Sequence, residues 1–138
     1  LTEFVLDCSV ALAWVYDDET SPLADRVMER LRHDTAHVPG HWRLEISNGL
    51  AIGERRGRLT SSQISGFVKR LGFLPIVVDV ATIDRALGSV LDLARRERLS
   101  AYDAVYLDLA LRRGIGLATA DKALAAAATR QGVPVIDG

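Results

Sequence analysis

The sequence predicts an α/β domain: three layers, with a central parallel sheet of about five strands covered by helices on both faces. Two observations carry this. Short apolar runs bounded by turn residues alternate with longer segments whose apolar residues recur every three to four positions. The short runs are apolar nearly throughout, as strands buried on both faces of a parallel sheet are. The length agrees, since 138 residues without a linker, repeat or low-complexity tract read as a single domain over 1–138.

The elements follow in order. Residues 2–6 (TEFVL) form a first strand that ends at Asp7, and a helix over about 9–16 follows. The acidic turn 17–19 leads to Ser21-Pro22, an N-cap followed by proline at the first helical position, and Leu23, Val27 and Leu31 continue at helical spacing. A second strand over 36–38 is closed by Pro39-Gly40, after which 41–56 is helical, with Trp42, Ile46, Gly49, Leu50 and Gly53 along one face. Thr60 and Gln63 make a capping-box pair that opens a helix ending near Gly72. A strand over 76–78, helices over 81–96 and 101–113, a strand over 115–119, a helix over 121–130 and a last strand over 133–136 complete the chain.

Composition excludes several classes. Hydrophobic residues at 49% and charged residues at 25% are an ordinary globular balance, which argues against disorder. No apolar run approaches the roughly 18 residues of a membrane span, and no cationic stretch followed by an apolar run marks a signal peptide. The lone Cys8 has no internal disulfide partner, which fits a reducing compartment, so a cytoplasmic, membrane-free protein is expected. A net charge of −1 does not by itself indicate a nucleic-acid binder. Arginines are nevertheless clustered at Arg55, Arg56 and Arg58, at Arg95, Arg96 and Arg98, and at Arg112 and Arg113. Their planar forks suit phosphate, and solvated helix ends explain them equally well.

Four acids stand out, each with an ordinary alternative. Asp7 and Asp121 lie just beyond strand ends, where ligands collect in open α/β sheets, yet each is placed to cap the helix that follows. Thr119 competes with Asp121 for that cap. Asp103 follows Ser100 at the capping-box interval, in a segment (AYDAVYLDLAL) apolar nearly all round. Asp108, the other charge in that segment, points elsewhere and reads as structural. Glu45 is hardest to explain by capping: it sits on an apolar helix with no lysine three or four residues away, and Asn48 at i+3 is the near donor. Converging carboxylates repel one another, and a hard divalent cation removes that penalty. Mg²⁺ fits best, with Mn²⁺ the close competitor, and nothing completes a zinc site.

The segments VLDCSVAL, WRLEISNGL, SAYDAVYLDLAL and LATADKAL, in this order and at these separations, resemble a PIN domain, specifically the toxin subunit of VapBC toxin–antitoxin pairs. The resemblance spans essentially the whole chain; Cys8 stands where many relatives have Thr, Ala or Ser. It implies that Asp7, Glu45, Asp103 and Asp121 are the family's acidic quartet, supported by Ser9, Asn48 and Thr119. It further implies a five-stranded parallel sheet, a homodimer, and Mg²⁺-dependent endonuclease action on structured RNA such as transfer or ribosomal RNA. The products would be a 3′-hydroxyl and a 5′-phosphate, and a VapB-type antitoxin would cover the site.

Other readings are distinguishable. A phospho-acceptor signalling domain needs adjacent acids after the first strand, and Asp7 is followed by Cys8. A non-cutting PIN-like domain, or an RNA-processing nuclease without an antitoxin, differs in activity or in gene neighbourhood. His33, His37 and His41 recur every four residues, but Pro39-Gly40 interrupts them and they are read as surface or loop residues. Cys8 lacks a paired base and is read as a small buried side chain. Trp14 and Trp42 are core or core-edge residues available to line an antitoxin groove.

Overall fold

The computed structural model describes residues 2–16 and 18–137; Asp17 of the acidic turn lies outside them. Strands β1 (Glu3–Leu6), β2 (Thr35–Val38), β3 (Ile76–Val78) and β4 (Gly116–Ala118) pair only in parallel, in the order β3-β2-β1-β4. Val5 lies opposite His37 on one side and Leu117 on the other, and Val38 lies opposite Val78. Phe4, Val5 and Leu6 are fully buried, which is why this central strand is apolar at every position after Glu3.

Helices α1 (Cys8–Ala13) and α2 (Pro22–Arg30) link β1 to β2, α3 (Trp42–Arg55) and α4 (Ser61–Leu71) link β2 to β3, and α5 (Leu91–Glu97) and α6 (Ala101–Arg113) link β3 to β4. Helix α7 (Lys122–Arg130) follows β4. The chain steps β1, β2, β3 in one direction and then returns across the sheet to β4. Right-handed crossovers therefore place α1–α4 on one face and α5–α7 on the other. The packing agrees: α1 contacts α2 and α3, while α6 contacts α5 and α7 and lies on β1 and β4. The strand order reverses between β1 and β4, so the switch point lies where Asp7 N donates to Ala118 O at 3.0 Å.

The local start signals do as their chemistry requires. Ser21 Oγ accepts from Ala24 N at 3.1 Å with Pro22 at the first position of α2. Thr60 and Gln63 form the reciprocal capping box at the head of α4. On the inner side of α3, a Cβ added at Gly49 would stand 2.6 Å from Leu12 Cδ1, so any larger residue there requires the Leu12 side chain of α1 to shift. Residues 104–110 of α6 are buried without exception, as their all-round apolar pattern requires.

Two expectations are corrected. The last strand, over 133–136, is reduced to a single parallel bridge between Leu117 and Val135, flanked by Leu117 N to Pro134 O (2.9 Å) and Ile136 N to Leu117 O (3.0 Å). Pro134 has no N–H to extend a ladder, so the sheet has four strands rather than five. The helix over 81–96 is broken. A 3₁₀ turn (Ile83–Arg85) and a wide turn (Ala86–Val90) precede α5, and Gly88 takes the non-helical φ −114° and ψ −107°. The row of apolar residues at helical spacing there does not face the core, since Val80, Ile83 and Leu87 are exposed.

Buried carboxylates away from the switch point are each matched by an arginine. Asp108 accepts both Arg85 Nε (2.7 Å) and Nη2 (3.1 Å), which bears out its structural reading. Asp79, directly after β3, accepts Arg112 Nη1 (3.1 Å) and Nη2 (2.8 Å) together with Thr82 Oγ1 (3.0 Å). One of the clustered arginines, Arg112, is thus committed to the fold, as is Arg85 outside the clusters.

Candidate active site

Asp7 is the residue at which β1 ends, and only 4% of it is exposed. It occupies the N-cap position of α1, yet its side chain caps nothing. Its Oδ2 instead accepts the hydroxyls of Ser9 (2.7 Å) and Thr119 (2.6 Å). Ser9 Oγ in turn accepts from Ala120 N at 3.1 Å, and Thr119 Oγ1 from Asp121 N at 3.0 Å. The ends of β1 and β4 are therefore stitched through two small hydroxyls. Burial pushes the Asp7 carboxyl up from its ordinary pKa, and the charge of Glu45 adds to the rise while the two hydroxyls oppose it.

Asp121 does cap α7, its Oδ1 accepting from Leu124 N at 3.0 Å. Asp103 lies in the first turn of α6, where Ser100 Oγ accepts its backbone N–H at 3.1 Å. Its carboxyl is also raised, first by burial and then by the charges of Asp121, Asp7 and, more weakly, Glu45. Asp103 thus lies within electrostatic reach of the other three acids, and Asp7 within reach of Glu45.

Glu45 projects from the first turn of α3 and is gripped at one oxygen. Its Oε1 accepts the hydroxyl of Tyr106 from α6, and His41 Nε2 stands 3.0 Å away. Burial pushes the Glu45 carboxyl up, but His41 and Tyr106 together outweigh it and hold the group below its usual range. Asn48 is exposed and forms no hydrogen bond to Glu45 among the described residues; the donor expected at i+3 is replaced by the Tyr106 hydroxyl from another helix, with His41 at i−4 close by.

His41 and Tyr106 were not among the residues singled out for the site. The interval from His41 to Glu45 is a helical i,i+4 pair, and a buried tyrosine needs a partner for its hydroxyl, so both signals were present. The surface-or-loop reading of the histidines holds for the exposed His33 and for His41, which sits in the turn before α3, and fails for His37. His37 is buried in β2 with Nε2 2.7 Å from Glu3 Oε1, and 14% of the His41 side chain is exposed. Cys8 is partly buried, and burial followed by the charges of Asp7 and Glu45 pushes its thiol well up, which leaves it a poor nucleophile.

Among the described residues, no three acids, histidines or cysteines are grouped tightly enough to form a finished metal cage. The donor set nevertheless fits a hard divalent ion. Its oxygens are carboxylates, and no lysine or arginine pairs with Asp7, Asp103 or Asp121 among the described residues, whereas Asp79, Asp108 and Glu97 each have an arginine. Among the described residues, the buried carboxylates without an arginine partner are therefore concentrated at the switch point.

The fold and this acidic cluster define an α/β domain of the PIN kind. The model of the PIN domain matches residues 4–129, and the chain belongs to that family. It is 32% identical over 110 residues to Ribonuclease VapC3 of Mycobacterium tuberculosis, covering 78% of this chain and 76% of that protein. It is 28% identical over 123 residues to Ribonuclease VapC3 of Pyrobaculum aerophilum, covering 89% and 92%. Among solved structures, PAE2754 from Pyrobaculum aerophilum superposes with a TM-score of 0.69 at 23% identity, covering 97% of this chain and 90% of that one. FitAcB from Neisseria gonorrhoeae gives 0.65 at 16% identity, covering 97% and 96%. These two likenesses concern the fold.

Proposed function

We propose that this protein is a divalent-metal-dependent endoribonuclease acting as the toxin of a toxin–antitoxin pair. Its substrate would be structured RNA, such as transfer or ribosomal RNA, whose cleavage inhibits translation. The observation that carries the reading is that Asp103 feels the charges of Asp7, Glu45 and Asp121 beside the switch point, while among the described residues Asp7, Asp103 and Asp121 have no lysine or arginine partner. Homology to proteins named ribonucleases supports the chemistry.

Asp7, Glu45 and Asp103 would hold Mg²⁺, or Mn²⁺ in its place, some of them through water, and Asp121 would complete the site. A bound ion of this kind lowers the pKa of its water and stabilises charge on phosphoryl oxygens. Ser9 and Thr119 fix the Asp7 carboxylate in one orientation. Asp121 keeps one oxygen on the α7 amide, so its other oxygen is available to orient water at the scissile phosphate. Cleavage would leave a 3′-hydroxyl and a 5′-phosphate.

A VapB-type antitoxin and a homodimer belong to the same proposal. An apolar cleft of about 600 Å³ lies between α3 and α4, lined by Trp42, Ile46, Leu50, Ile64, Val68 and Leu71, and suits an amphipathic antitoxin segment. The exposed row Val80, Ile83 and Leu87 supports a self-association surface. Among the described residues no helix is long and apolar enough to cross a membrane.

The test uses purified protein freed of antitoxin. It should cut RNA with Mg²⁺ or Mn²⁺ and stop with EDTA. Cleavage that survives in Asp7→Asn or Asp103→Asn refutes the site. A solitary locus, with no small antitoxin gene beside it, refutes the toxin role and leaves the nuclease.

A further inference from the structure

We propose that Tyr106 is a positioning residue for the acidic cluster, its buried hydroxyl setting the orientation of Glu45 and its spacing from Asp7. The inference rests on the reading of Glu45 as a metal ligand. Tyr106 is fully buried on α6, three residues after Asp103, so the two side chains share one side of that helix. Its hydroxyl donates to Glu45 on α3 and accepts from the amide of Cys8, 3.4 Å away and one residue past Asp7. A single oxygen thus joins the three elements that carry Glu45, Asp7 and Asp103. A phenol placed only to fill space needs one partner for its hydroxyl; this one has both its donor and its acceptor roles filled, each by a group next to or within the cluster.

The far wall of Glu45 is His41, whose ring centroid lies 5.6 Å from that of Tyr106 and 5.8 Å from that of Tyr102. Tyr106 donates to Oε1 and His41 Nε2 stands 3.0 Å from that same oxygen, while Oε2 accepts no hydrogen bond among the described residues. The carboxylate is therefore held by one oxygen with the other left for a ligand. Groups that orient a metal-binding carboxylate in this way commonly change metal affinity by about 10–100-fold when removed.

The experiment is a double-substitution cycle read by Mn²⁺ binding, using electron paramagnetic resonance on the full chain, with RNA cleavage measured in parallel. Tyr106→Phe keeps the ring and removes the hydroxyl. Its Mn²⁺ affinity should fall about tenfold or more, cleavage should recover as Mn²⁺ is raised, and in a Glu45→Gln background the same substitution should have no further effect. An unchanged Mn²⁺ affinity in Tyr106→Phe, when Glu45→Gln does weaken binding, overturns this inference alone. An unchanged affinity in Glu45→Gln overturns the metal site and this inference with it. Mn²⁺ binding without RNA cleavage by the unsubstituted chain overturns the nuclease reading and leaves the cycle decisive. Should Tyr106→Phe fail to fold, the chain labelled with 3-fluorotyrosine decides the matter. With Tyr16 and Tyr102 replaced by Phe, the remaining fluorine resonance should shift on adding Mg²⁺, and a resonance that does not move overturns the proposal.

Discussion

Replacing Arg112 by Leu would leave Asp79 buried beneath β3 with Thr82 as its remaining side-chain donor. Removing one partner of a buried ion pair costs about 3–5 kcal/mol because the other charge is stranded. A quarter of the Arg112 side chain is exposed, so solvent screens part of the interaction and the expected loss is about 2–3 kcal/mol at pH 7. Arg112 holds the Asp79 carboxyl below its ordinary pKa of 3.8. The stabilisation is therefore complete above that ordinary value and is lost as the pH falls through the lowered one. Urea unfolding of both proteins at pH 7 and pH 3 measures this. The difference should be about 2–3 kcal/mol at pH 7 and less than half of that at pH 3. The double variant Asp79→Asn with Arg112→Leu should recover a large share of the loss at pH 7. An equal difference at both pH values, or one under about 0.5 kcal/mol at pH 7, refutes the argument, because the fork would then be no more than a surface ion pair.

Four further outcomes are expected. Asp7→Asn and Asp103→Asn should each abolish RNA cleavage yet leave the metal-free protein more stable in urea, since both carboxyls are raised by burial and by their neighbours. For the same reason, the contribution of these two acids to the metal-free stability should grow as the pH falls from neutral toward their raised pKa, and a contribution that shrinks over that interval would count against mutual repulsion. Mg²⁺ at about one hundred times its dissociation constant should stabilise the unsubstituted chain by about 2.7 kcal/mol in thermal or urea unfolding, and Asp7→Asn should lose that increment. Gly49→Ala should lower stability by about 1 kcal/mol, although alanine favours helix, because its Cβ meets Leu12 Cδ1 at 2.6 Å and Cδ2 at 2.9 Å; a stabilised variant would show that α1 gives way easily.

Much of the fold is written locally in this chain. The caps at Ser21 and Thr60, the buried run of α6 and the apolar run Phe4–Leu6 of β1 all follow from neighbours in sequence, and the structure keeps each of them. What was illegible depends on distant partners or on competition. The segment over 81–96 has helical spacing, but Gly88 and the pairing of Arg85 with Asp108 on another helix divide it. The final edge run has strand-like composition, and Pro134 leaves it one bridge. The same division holds for the acidic cluster. The four carboxylates were recognisable by type and placement, whereas the donor to Glu45 lies 61 positions away and no local pattern announces it. Asn48 was the nearer candidate in sequence, and it faces solvent.

The two hydroxyls beside Asp7 have a consequence that follows from counting hydrogens. Each of Ser9 and Thr119 has one proton to give, and each gives it to the same oxygen, so toward everything else both can only accept. What they accept are the amides of Ala120 and Asp121, consecutive residues at the start of the last helix. Two parallel wires therefore run from a stretch of main chain to one carboxylate oxygen, both polarised in the same sense. Shifting that peptide segment by a fraction of an ångström would tug on Asp7 through both wires at once, and trimming either hydroxyl would strand an amide as well as an acid. The loop after β4 is in this sense a lever on the carboxylate, and whatever presses on it is felt at Asp7.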